Sequence, residues 1–198
     1  MAQQQKESEY FKQAQLLEKE NIKQLFVEYW KNHNCSNLIF TDKEEYSLFD
    51  ALMISGSSTG IQKNIIIEHK RRNITLPSQY DNCIIEFPKF EGLHKFHLAG
   101  SIVLYVVQYD NATAIWNLSD IYEIQKRIGL DYFFYPLKCT ARMSNYFKGE
   151  KEKWVRDLKF NTAQLIDANF QPIQYMDFVN EMRNNLKREK EKNEQYEN

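Results

Sequence analysis

Hydrophobic positions along this chain change rhythm several times, and each change marks an element. Residues 4–33 lack Gly and Pro, and Ile22, Leu25, Phe26, Tyr29 and Trp30 recur three or four apart. That stripe predicts an amphipathic helix ending near His33 and Asn34. Short extended segments follow at 37–41, 46–55 and 63–71, the last two joined by the Gly/Ser loop 56–60 and predicted to pair as a hairpin. The next stretch is ambiguous, because Pro88 forbids a helix through it while Ile85, Lys89, Leu93 and Phe96 keep a roughly helical spacing. A helix from about Pro88 satisfies both constraints. Residues 101–110 and 112–120 read as an antiparallel strand pair about the turn dipeptide Asp110-Asn111. A short helix then opens with Ser119 as its cap and closes on Gly129, and 131–143 is a further strand candidate. From Val179 onward, KREKEKNEQYEN has almost nothing to bury and reads as a charged helix or a disordered tail. Helix, three strands, helix and two strands in succession predict a mixed α/β (α+β) fold, a central mixed sheet flanked by helices.

Composition narrows this picture without directing it. A chain of 198 residues with 42% hydrophobic and 14% aromatic content can bury a substantial core. A net charge of -1 means that any nucleic-acid affinity must come from a local basic patch. Cys35, Cys83 and Cys139 are odd in number and widely spaced, which fits a reducing cytoplasm, and cytoplasmic localisation is expected. The start MAQQQKESE does not read as a signal peptide, and runs such as 102–107 fall far short of a membrane span, so no membrane partner is expected. His33, His69, His94 and His97 have no zinc-site spacing, and no Walker loop, GxGxxG or GxSxG is present.

Candidate chemistry concentrates in NIIIEHKRRN, residues 64–73, where three isoleucines run directly into charge. In an extended strand Ile66, Glu68 and Lys70 share one face, and Ile65, Ile67 and His69 the other. Asp50 interrupts an apolar run in the preceding strand, sharing a face with Leu48 and Leu52. A lone carboxylate among core residues is costly unless it is paired or binds a metal. Asp50 and Glu68 together offer oxygen ligands for magnesium or manganese. Lys70 beside such an ion would orient or deprotonate a water, or stabilise charge on a phosphate under attack.

Asp50, seventeen residues, then Glu68-His69-Lys70 resembles the PD-(D/E)xK nuclease superfamily with its restriction-endonuclease-like fold. There the Asp and the D/ExK motif lie on adjacent strands of a helix-flanked sheet. The resemblance covers about residues 10–120 and implies a nuclease dependent on Mg2+ or Mn2+, with Asp50 and Glu68 as metal ligands and Lys70 as the catalytic lysine. Its polymer is expected to be DNA before RNA. One domain over 1–178 is implied, with 121–178 as an extension of the core and 179–198 as the tail. Of two (D/E)xK matches, the second, Asp157-Leu158-Lys159, lacks the apolar run that precedes Glu68. Phe49 replaces the family's proline, and Glu18, Glu20 and Glu28 are all available as the glutamate that many members supply from the first helix. YDNCIIEFPKFEGL, followed by a strand pair ending in AIWNL, looks like a layout of small phage and mobile-element members. In that layout Tyr80, Glu86 and Lys89 would flank the site.

Plainer readings stand beside these. Glu68 and Lys70 would form a solvated surface ion pair worth ~0–1 kcal/mol, and Asp50 would be a strand-edge or turn carboxylate. Arg71 and Arg72 would form a solvated rim, or, beside a nuclease site, nucleic-acid contacts. The functional alternative from another class is a non-catalytic nucleic-acid-binding or protein-interaction module with the same fold, such as a phage accessory or structural protein. Whether copies associate as a homo-oligomer is left open by the sequence.

Overall fold

The structure, a computed structural model, describes residues 2–41, 48–56, 61–76, 82–128, 135–140 and 150–196. Helix α1 (Ala2–Glu28) continues into a 3-10 turn (Trp30–His33), which Asn34 closes in the left-handed region at φ 58. Asn is among the few side chains that tolerate this conformation. Strands β1 (Cys35–Phe40), β2 (Ala51–Ser55) and β3 (Lys63–Arg71) form an antiparallel meander. After β4 (Asn82–Glu86) and α2 (Phe87–Leu98), strand β5 (Ile102–Gln108) pairs with β3 in parallel. A parallel pair needs a crossover, and β4 with α2 supplies it. Strand β6 (Ala112–Asn117), helix α3 (Leu118–Ile128), β7 (Tyr135–Thr140), β8 (Glu150–Lys159), β9 (Gln164–Asp167), β10 (Pro172–Ile173) and α4 (Tyr175–Tyr196) complete the order.

Among the described residues ten strands make two sheets, a seven-stranded one in the order β1-β2-β3-β5-β6-β9-β10 and a three-stranded one in the order β4-β8-β7. The large sheet is covered on both faces. On one, Ala51, Met53, Ile65, Ile67 and Val106 pack against Ile22 and Leu25 of α1 and Tyr29 just beyond it. On the other, Ile66, Val103, Tyr105 and Trp116 meet Phe90 and Leu93 of α2, Tyr122 of α3, Leu158 of β8 and Phe178 of α4. Burial on both sides explains why β3 reads as an unbroken isoleucine run rather than an alternation. The Trp116 indole N–H donates to the Lys159 carbonyl at 3.0 Å, tying the small sheet to the large one.

The expected class, a mixed α/β fold with a central mixed sheet flanked by helices, is what the chain adopts. Several local expectations change. Strand β4 lies where the sequence shows only the approach to a helix, and α2 opens one residue before Pro88, which occupies the first turn without needing a hydrogen-bond donor. Ser119 is not the cap of α3. Asn117 fills that role, its Oδ1 accepting the Ser119 N–H at 3.1 Å. Ser119 Oγ instead accepts the Val103 N–H at 2.9 Å and donates to the Ser101 carbonyl. The charged terminal segment is helical, as α4, to Tyr196. Among the described residues no helix is long and apolar enough to cross a membrane.

Candidate active site

Adjacent strands bring the two carboxylates together. The β2–β3 register ends at Ala51 opposite Ile67, and Asp50, one residue outside β2, bonds to that same Ile67 while its carboxylate reaches the Glu68 side chain and the His69 N–H. Asp50 is held through its backbone and its side chain alike. Its N–H donates to the Ile67 carbonyl at 2.8 Å, its carbonyl accepts the Thr41 N–H at 3.1 Å, and its Oδ2 accepts the His69 N–H at 2.8 Å. A side-chain hydrogen bond joins it to Glu68. These contacts preorganise Asp50 at the mouth of β2 rather than in its middle.

Lys89 enters from the first turn of α2. Its Nζ lies 2.9 Å from Glu68 Oε1 and donates to the Leu48 carbonyl at 3.3 Å. Glycine at 92 lets the helix come this close, because a Cβ there would lie 3.0 Å from Leu48 Cδ2. The surface ion pair of Glu68 with Lys70 is therefore replaced by a mostly buried one with Lys89, in which the Glu68 side chain is 13% exposed. Alternate residues of a strand stand ~6.7 Å apart, too far for Lys70 to neutralise Glu68 as closely as a helix residue arriving from above the sheet.

Burial, and secondarily the charge of Asp50, push the Glu68 carboxyl up to about 8 despite the opposing Lys89 ammonium. Lys70 is shifted down, chiefly by burial and next by Arg72, with Lys153 acting in the same sense and Glu86 opposing. A lysine displaced toward neutrality is better suited to accept or orient a proton than a solvated one. Behind it, burial raises the Tyr105 and Tyr109 phenols, so both stay neutral hydrogen-bonding groups.

Other sequence candidates separate by position. Glu86, at the end of β4, forms a 2.6 Å ion pair with Lys153 of β8 and lies close enough to act on Lys70. Arg72 continues the face of Glu68 and Lys70, its N–H extending the ladder to the Gln108 carbonyl at 2.8 Å. Arg71 is exposed, and its Nε donates to Asn73 Oδ1 at 3.1 Å. Strand alternation turns Arg71 away from the site, so the two arginines are not one rim. The buried stripe of α1 packs on the opposite sheet face, and Glu20 pairs with Lys23 at 2.6 Å. Tyr80 lies outside the described residues. Lys153 was missed by sequence reasoning, since β8 is concealed within the charged run GEKEKWVRD.

Two facing carboxylates, one made hard to ionise by burial and by the other, are a donor set that a divalent cation would relieve. Among the described residues no group of three His, Cys, Asp or Glu side chains is placed to hold a metal ion. Asp50 and Glu68 would be its carboxylate ligands, with backbone oxygen or water completing the coordination of a hard cation. No protein-family model matches the chain, and no curated protein matches it.

Proposed function

We propose that this protein is a metal-dependent nuclease of the PD-(D/E)xK type that hydrolyses phosphodiester bonds in DNA. The observation that carries the reading is the contact between the Asp50 and Glu68 carboxylates at the end of the β2–β3 pair, with Lys70 two residues on along the same face of β3. The resemblance implies the order helix, three-stranded meander, helix, strand, and α1, β1–β3, α2 and β5 follow it, with β4 inserted before α2. Magnesium or manganese, when bound, would supply Lewis-acid activation of water and of the phosphate. Asp50 and Glu68 would hold it. Lys70, desolvated and shifted down, positions the attacking water or receives its proton, and Arg72 adds positive charge on the side of the phosphate.

Incubating the protein with plasmid, linear and branched DNA, with and without magnesium or manganese, tests this. Metal-dependent cleavage lost in Glu68→Ala and in Lys70→Ala is expected, and cleavage indifferent to both substitutions would remove the site assignment. One observation favours the second reading, a non-catalytic binding module: Lys89 already gives Glu68 a cation at 2.9 Å. Binding of DNA with no cleavage under any metal condition would select that reading.

A further inference from the structure

We propose that Arg72 and Lys153, beside Lys70, form a phosphate-binding subsite that holds the phosphate next to the one being cleaved. The inference rests on the phosphodiester reading of the Asp50–Glu68 site and adds to it a second anion position and a residue from β8.

Charge balance points to it first. Lys70 feels the positive charges of both Arg72 and Lys153 and the opposing charge of Glu86, which Lys153 holds at 2.6 Å. Cys83, also beside Lys70, is buried and reads as a small apolar group, and Tyr105 and Tyr109 are held neutral. Glu86 offsets one of the three cations, and a bound anion would relieve the repulsion that remains between the others in this partly desolvated corner. Hydrogen-bonding capacity is the second argument. Arg72 Nε is buried and, among the described residues, has no hydrogen-bond partner. A guanidinium presents its donors as a planar fork matched to phosphate oxygens, so an unused buried Nε–H is a place for one.

Spacing is the third. Lys70 and Arg72 stand two residues apart at the end of β3, and the strand repeat separates such positions by ~6.7 Å. That distance is comparable with the separation of successive phosphates along a nucleic-acid strand. With Lys70 on the phosphate under attack, Arg72 meets its neighbour. Glu86 would then hold Lys153 in place, a positioning role.

Phosphates of a short DNA duplex are to be neutralised one at a time as methylphosphonates. Affinity is then measured by fluorescence anisotropy in EDTA for wild type, Arg72→Gln, Arg72→Lys and Lys153→Gln. In wild type, one internal methylphosphonate adjacent to the cut phosphodiester should weaken binding about tenfold. Arg72→Gln should bind all duplexes more weakly, lower the salt slope by about one and lose its sensitivity at that one position, with Arg72→Lys intermediate. Lys153→Gln should reduce sensitivity at the same position. An Arg72→Gln protein that responds to every methylphosphonate as wild type does overturns the proposal. So does an effect confined to a terminal 5′-phosphate, read by comparing 5′-phosphorylated with 5′-hydroxyl duplexes, and so does the absence of any binding. Should Arg72→Gln fail to fold, Arg72→Lys retains the charge but not the fork, and unchanged position dependence in it is equally fatal. If one internal position shows the Arg72 effect but no duplex is cut with magnesium or manganese, the nuclease reading falls and Arg72 stands as a phosphate contact of a binding module. If the protein cuts without the effect, the subsite alone falls.

Discussion

Replacing Glu68 with glutamine should make the metal-free protein more stable near neutral pH while removing its response to magnesium. Glu68 titrates from a reference of 4.5 up to about 8 in the fold, so between these values the native state holds a proton that the unfolded chain has released. Stability from this group is complete below about pH 4.5 and is lost as pH rises toward 8. At pH 7.5 the three-unit gap sets a ceiling of ~4 kcal/mol. Loss of the partly exposed Lys89 pair subtracts ~1 kcal/mol, and relaxation of the Asp50 pair removes more, leaving a net gain of about 1–3 kcal/mol. For a chain of this length that is a rise of about 2–12 °C in Tm. Thermal unfolding in EDTA at a series of pH values, repeated with magnesium, reads both effects. Wild type should lose stability from pH 5 to 8 and regain it with the metal, and Glu68→Gln should do neither. A wild-type curve flat across that range, or a Glu68→Gln protein less stable than wild type at pH 7.5, would refute the reasoning.

Three further substitutions separate chemistry from folding. Lys70→Met should abolish cleavage, by about 100-fold or more, while leaving Tm equal or higher, because it removes a desolvated charge; nicking assays alongside thermal melts check it. Gly92→Ala gains helix propensity of ~1 kcal/mol and displaces only the exposed Leu48 side chain, so stability should change by less than ~1 kcal/mol. Cleavage should be retained as well, because Lys89 is anchored by the Leu48 carbonyl and not by the side chain that moves, and parallel measurement of both quantities tests this. Ser119→Ala strands the Val103 N–H and should cost about 1–3 kcal/mol in urea unfolding, with nuclease activity retained at temperatures where the variant stays folded.

What could be read beforehand was what depends on period. The isoleucines of β3 announce a strand buried on two faces, and alternation from Ile66 forward is enough to place Glu68, Lys70 and Arg72 together. The same alternation could have parted Arg71 from Arg72, since the signal was present in the residue numbers. Lys89 as the partner of Glu68 could not be read, because that contact depends on how closely α2 lies over the sheet, which Gly92 and Leu48 decide in three dimensions. Strand β4 was concealed by the overlapping helical spacing of Ile85 and Lys89. Strand β8 was concealed because its inward residues, Val155 and Leu158, are not two apart and sit among charges. Ser119 has the chemistry of a cap, but Asn117 reached the free N–H first, leaving the serine hydroxyl to a buried backbone group.

The pairing of β4 with β8 has a consequence for the order in which a growing chain acquires its parts. Asp50, Glu68, Lys70, Arg72 and Lys89 all leave the ribosome within one short interval, and their strands and helix can assemble on β5 as soon as it follows. Lys153 arrives more than sixty residues later. Until then Glu86 has no β8 partner, and the corner around Lys70 lacks one of its positive groups. A chain still being made would hold its carboxylates face to face before the positive corner around Lys70 is complete, so the charge balance at this end of the sheet would be the last property of the site to mature.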